Sequence, residues 1–225
     1  WDGKYLHDLY KEAYTPWEWH KQLFDVAKEE GLICFSSPFD PTAVDLLEEL
    51  DNPIYKIASF EITDIPLIQY VASKGKPVII SSGIATLEDI ELAVETCRNA
   101  GNNQITLLKC TSSYPAPMEE ANLVMIQDLA ERFDVVSGLS DHTLGITAPI
   151  VAVTQGAKVI EKHFILDKTI GGPDASFSLD EAEFTQMVKA VREAELALGK
   201  VNYTLTEKQK QGRNFSRSLY IAKDV

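Results

Sequence analysis

Short apolar runs alternate with stretches of helical period along the whole chain. Thr15-Pro16-Trp17-Glu18 predicts a helix start, with Thr15 as N-cap, Pro16 at the first position and a capping-box Glu18, and Gly31 closes that helix. Leu32 to Phe35 then reads as a strand, Asp40-Pro41 opens a helix ending near Leu50, and Ile54 to Ala58 reads as a second strand. A helix from about Ile65 to Gly75 precedes a third strand, Pro77 to Ile80. Thr86 and Asp89 stand as a capping box before Ile90, Ala93, Val94 and Cys97, which share one helical face, and Gly101 ends that helix. Ile105 to Lys109, Val135 to Leu139 and Lys158 to Ile160 complete six predicted strands. Helices from about Leu123 to Arg132 and Ile146 to Gln155 lie between them, and Ser178-Leu179-Asp180-Glu181 caps a last long helix to about Leu198.

Strands this short, apolar and β-branched suit a parallel sheet covered by helices. Repeated βα units favour a (β/α)8 TIM barrel or a doubly wound open sheet. Six strands behind a leading helix leave a barrel short of its first two, which would precede Trp1. Residues 1–201 are read as this partial barrel domain, and residues 202–225 as a linker and the start of another domain. The start at Trp1 and the strand-like ending read as a piece of a longer protein.

Composition narrows the partners. Against 34 acidic residues stand 21 basic ones, a net charge of −13, which argues against nucleic acid or an anionic membrane. No apolar run approaches a membrane span. Three cysteines without a CxxC pair fit reduced thiols in a cytoplasmic protein.

The candidate chemistry collects at the carboxyl ends of the predicted strands. These ends carry Ser36-Ser37, Lys56 with Ser59 and Glu61, Ser81-Ser82-Gly83, Lys109-Cys110-Thr111-Ser112, Ser140-Asp141-His142 and Glu161-Lys162-His163. The amino ends carry turn residues, and that asymmetry is what a strand-end active site predicts. A lone serine there is usually structural, but several hydroxyls with a lysine make an anion cradle. A lone histidine is more often a satisfied core group. His142 and His163, at equivalent ends of consecutive strands, point instead to a shared metal or acid–base work. Asp141, Asp174, water or substrate could add oxygen ligands. A second reading makes Lys56 or Lys109 a Schiff-base lysine, and a third makes the chain a sugar- or phosphate-binding barrel without catalysis. Tyr114-Pro115-Ala116-Pro117 is a rigid loop above the rim, while Tyr14, Trp17 and Trp19 read as packing.

Seven motifs occur in order: Tyr55-Lys56-Ile57-Ala58-Ser59-Phe60-Glu61, Gly75-Lys76-Pro77, Ser81-Ser82-Gly83, Cys110-Thr111-Ser112-Ser113-Tyr114-Pro115, Gly138-Leu139-Ser140-Asp141-His142, Glu161-Lys162-His163-Phe164 and Gly172-Pro173-Asp174. As a set they resemble the sialic acid synthase family, which condenses phosphoenolpyruvate with an amino-sugar aldehyde. Tyr14 to Trp19 and Ile33 to Asp40 are most similar to its pseudaminic acid synthases; N-acetylneuraminate and legionaminate synthases are the alternatives. The resemblance implies a (β/α)8 barrel followed by a small antifreeze-like domain, and a homodimer for the full-length parent. It implies that Lys56, Ser59, Ser81 and Ser140, with Ser37, hold phosphoenolpyruvate, and that His142 and His163 bind manganese or magnesium. Glu61 would handle protons near the sugar, and Tyr114 and Asp174 would contact the sugar. Ser112 stands where N-acetylneuraminate enzymes tend to have asparagine. With two strands and the C-terminal domain's arginine absent, this chain alone would be inactive.

Overall fold

Val78-Ile79-Ile80 and Ile105-Thr106-Leu107-Leu108 can be buried on both faces, and in the computed structural model they form the middle of a parallel sheet. The structure describes residues 14–217, together with Tyr5, His7, Asp8, Lys11 and Lys223. The strands are β1 (Tyr55–Ile57), β2 (Val78–Ser81), β3 (Ile105–Cys110), β4 (Val136–Asp141) and β5 (Val159–Lys162). They lie in sequence order, and every neighbouring pair is parallel. A doubly wound sheet reverses its strand order at a switch point, and this one does not.

Curvature follows from one contact. In a flat sheet, β1 and β5 would lie about 19 Å apart, four strand spacings. Yet Lys56 Nζ on β1 sits 3.6 Å from Glu161 Oε2 on β5. The sheet is curled into an arc of a (β/α)8 barrel, and these two side chains meet across its interior.

The described helices are α1 (Trp17–Glu29), α2 (Pro41–Glu49), α3 (Ile65–Ala72), α4 (Leu87–Asn99), α5 (Met125–Phe133), α6 (Thr147–Thr154), α7 (Glu181–Leu198) and α8 (Glu207–Arg213). Of these, α2 to α6 pack against the convex face. Capping boxes start α4 (Thr86 with Asp89), α7 (Asp180 with Glu183) and α8 (Thr206 with Gln209). One core joins Tyr55, Ile57, Val78, Ile80, Ile105 and Leu107 to the inner faces of α2 to α5, and a smaller one joins Leu139 to Ile126, Ala148 and Ala152. Strand side chains alternate between faces, so these core members mark the outward positions. The intervening residues, Lys56, Ser81, Leu108, Cys110, Gly138, Ser140 and Glu161, face the barrel interior.

Three expectations change. Leu32 to Phe35 is not a strand: only Ser36 pairs, by a single parallel bridge to Tyr55. Its N–H is 3.3 Å from Asn52 Oδ1, and Leu32 and Ile33 are 68% and 73% exposed, so no second neighbour completes a ladder. The helix before it starts on Pro16 as N-cap, without a side-chain cap, rather than on Thr15. Tyr14, Trp17 and Trp19 are exposed rather than packed, because no residue of α1 is buried. A bridge that the sequence did not announce pairs Phe164 with Leu179, extending the parallel pattern past β5. The stretch read as a linker holds the exposed helix α8. Residues 218–225 lie outside the described residues apart from Lys223. No helix among the described residues is long and apolar enough to cross a membrane.

Candidate active site

Alternation along β4 and β5 carries Ser140 and Glu161 inward, and His142 and His163, one step beyond, follow on the same face. The two imidazoles are neighbours, with ring centroids 5.2 Å apart and planes crossing at 64°. Tyr114 lies 4.3 Å from the His142 ring, and Phe177 lies 4.9 Å from that of His163. His142 Nδ1 is 2.9 Å from the Thr111 carbonyl oxygen, which can only accept, so Nδ1 carries a proton and Nε2 is the nitrogen left for a ligand when the ring is neutral. His163 Nδ1 lies 3.3 Å from Asp174 Oδ2, which orients it the same way.

The anion-binding candidates lie beside this pair. Lys56, Ser81 and Ser140 are all buried. Ser140 Oγ donates to Glu161 Oε1 at 2.6 Å, and Glu161 Oε2 faces the Lys56 ammonium. Ser81 Oγ and Glu61 Oε2 are buried without any hydrogen-bond partner. Orphaned polar atoms in a cleft cost free energy unless a ligand or water completes them. Ser59 Oγ accepts from the Ile84 N–H at 3.0 Å and lies 2.8 Å from Ser112 Oγ. Gly83 makes that hydroxyl pair possible, because a Cβ there would lie 2.1 Å from Ser112 Oγ and 2.5 Å from Ser59 Oγ. Ser37 is half-buried beside the Ser36 bridge to Tyr55.

Burial pushes the Glu61 carboxyl above its ordinary value of 4.5, although the Lys56 charge pulls the other way. A carboxyl raised on folding favours the folded state while it is protonated, and that favour is lost as pH rises through the raised value. Glu61→Gln is therefore expected to melt higher than the parent at neutral pH and to lose this advantage below about pH 4, where both side chains are neutral. Thermal unfolding at the two pH values checks this; an unchanged difference would show that the buried charge carries no penalty.

Two sequence candidates turn away from the interior. Lys109 alternates with inward Cys110, so its Nζ points to the helix side, where it donates to the Cys110 carbonyl at 2.7 Å and to Thr111 Oγ1 at 3.2 Å. Burial holds its pKa below the ordinary lysine range, but it does not reach the anion candidates, which corrects its reading as a Schiff-base lysine of this site. Asp141 is consumed by a buried ion pair with Lys162 at 2.7 Å and is not an oxygen ligand beside the histidines. Among the described residues, no third His, Cys, Asp or Glu completes a metal-binding group. Sequence reasoning gave no role to Glu161 or Phe177. Glu161 was legible, two positions before His163 and so on its face; Phe177 lies in a loop with no periodic signal.

A model described as the NeuB family matches residues 1–203. The chain belongs to the NeuB family. The sialic acid synthase resemblance of its motifs therefore holds. The NeuB chain is 49% identical over 225 residues to the pseudaminic acid synthase of Campylobacter jejuni subsp. jejuni serotype O:2, covering all of this chain and 66% of that protein. It is 41% identical over 206 residues to the N,N'-diacetyllegionaminic acid synthase of the same organism, covering 91% of this chain and 62% of that protein. Its fold matches the crystal structure of N-acetylneuraminic acid synthetase from Leptospira borgpetersenii serovar Hardjo-bovis in complex with citrate. The TM-score is 0.85 and the identity 32%, over 92% of this chain and 74% of that one. The chain thus spans 66% of the length of the pseudaminic acid synthase, just under two thirds.

Proposed function

We propose that the protein to which this chain belongs condenses phosphoenolpyruvate with an amino-sugar aldehyde, giving a nine-carbon 2-keto sugar acid and phosphate, and that it is a pseudaminic acid synthase. The observation that carries this is the common inward face of Lys56, Ser81, Ser140, Glu161 and the two histidines. An anion cradle and a pair of imidazoles thereby share one mouth. Similarity of 49% to a pseudaminic acid synthase, against 41% to a legionaminic one, favours that sugar over the alternative.

In this reading the Lys56 ammonium and the Ser81 and Ser140 hydroxyls hold the phosphate and carboxylate of phosphoenolpyruvate, with Ser37 and Ser59 at the margin. Its C3 is thereby kept beside the aldehyde carbon. The new C–C bond joins these atoms, water adds at C2, and the C2–O bond breaks to release phosphate. Glu61 Oε2 exchanges a proton with a sugar oxygen brought against it. Tyr114 and Asp174 line the sugar side, and Ser112 lies between them and the cradle. The donor set suits a divalent cation: two imidazoles with Nδ1 engaged and Nε2 open, and water or substrate for the remaining positions. Manganese or magnesium held by His142 and His163 would supply Lewis-acid polarisation of a substrate oxygen. The reading also carries a homodimeric full-length protein in the cytoplasm, with an antifreeze-like domain after the barrel.

Full-length protein incubated with phosphoenolpyruvate, manganese and a panel of N-acetylated amino sugars tests this. Phosphate release that requires both the metal and one sugar is expected. No release with any sugar would sink the proposal, and release with N-acetylmannosamine alone would move it to N-acetylneuraminate.

A further inference from the structure

One buried ammonium ties together the two strand ends that carry the histidines. Lys162 precedes His163, and its side chain is 1% exposed on the outward face of β5. Its Nζ donates to Asp141 Oδ2 at 2.7 Å and also to the Thr143 carbonyl. Asp141 and Thr143 flank His142, and Asp141 Oδ1 accepts the Thr143 N–H at 2.8 Å, closing a turn around it. Asp141 and Lys162 are also the last paired residues of the β4–β5 ladder. Beyond them the ladder no longer holds the two segments together.

We propose that Lys162 and Asp141 are positioning residues, which set the separation and facing of His142 and His163 for a divalent cation. The proposal rests on the reading that these histidines bind the metal. Stability alone does not account for the pair. Taking both charges out of water offsets most of their attraction, and replacing such a pair by uncharged groups is often neutral, whereas removing one partner is not. The other bonds anchor each histidine separately. The His142 carbonyl accepts from the Ala116 N–H and its ring Nδ1–H donates to the Thr111 carbonyl, while the His163 carbonyl accepts from the Leu179 N–H. Ser140 and Glu161 join the strands two residues before the histidines, and Lys162 spans from the residue beside His163 to both residues that flank His142.

The test uses full-length, metal-stripped protein titrated with manganese by calorimetry. Asp141→Asn/Lys162→Met removes both charges together and keeps an acceptor for the Thr143 N–H. It is expected to melt within about 5 °C of the parent while binding manganese roughly 10–100-fold more weakly. Parental affinity in the folded double variant would overturn the proposal. So would failure of that variant to fold, because the pair would then be a stability element. His142→Ala separates the two ideas: if it binds manganese as the parent does, the metal reading itself is wrong and the positioning role falls with it.

Discussion

Gly138→Ala is expected to cost about 3 kcal/mol or more of folding stability, a larger effect than any other single methyl added to the sheet. Gly138 lies inward on β4, paired in register with Val159. A Cβ there would stand 2.2 Å from the Val159 carbonyl oxygen and 2.8 Å from Leu108 Cδ2. The leucine can rotate; the carbonyl belongs to the backbone of β5 and cannot move without opening the ladder. Since β4 and β5 deliver the two histidines, any opening also displaces one ring from the other. The urea midpoint of the full-length protein measures the loss, and a change below about 1 kcal/mol would mean that the strands part more easily than a packed interior allows.

Lys56→Met is expected to lower kcat/KM for phosphoenolpyruvate by about 10²–10³-fold, the usual scale for deleting one charged stabilising group from a shielded site. Methionine keeps much of the stem's volume, so packing changes little. Among the described residues, three lysine side chains are buried near the rim: those of Lys56, Lys109 and Lys162. Two are spent on the helix side, Lys109 on its neighbours and Lys162 on Asp141, so neither can replace the lost charge. The Glu161 carboxylate would also lose the cation 3.6 Å away and repel the incoming anion. Steady-state kinetics at saturating sugar reads the effect, and a variant within about threefold of the parent would remove Lys56 from the cradle.

Most of the fold was legible because its elements are locally consistent. Caps such as Thr86 with Asp89 announced their helices, and β-branched runs announced β2 and β3. Leu32 to Phe35 misled because apolar content reports a tendency to be buried, while a strand also needs partners on the ladder. Leu179 escaped for the converse reason: one bridge inside a loop leaves no periodic trace. Within the site, the rim serines, Lys56 and the histidines followed from strand ends alone. Which rim residues face the interior required the register. Lys109 and Lys56 look alike in sequence, and only the side of the sheet tells them apart. The partner of Asp141 is likewise a long-range fact, since Lys162 lies on the next strand, one helix later.

The alternation of Glu161, Lys162 and His163 also bears on how such a protein can diversify. A one-residue slip of β5 against β4 would turn the ammonium inward and send the carboxylate and imidazole to the helices, exchanging the charge of the mouth in a single step. The stretches 112–117 and 164–178, by contrast, are loops over the rim, where length and sequence can vary without touching strand phase. Relatives are thus expected to differ in those loops by insertions, while the spacing between strands stays fixed.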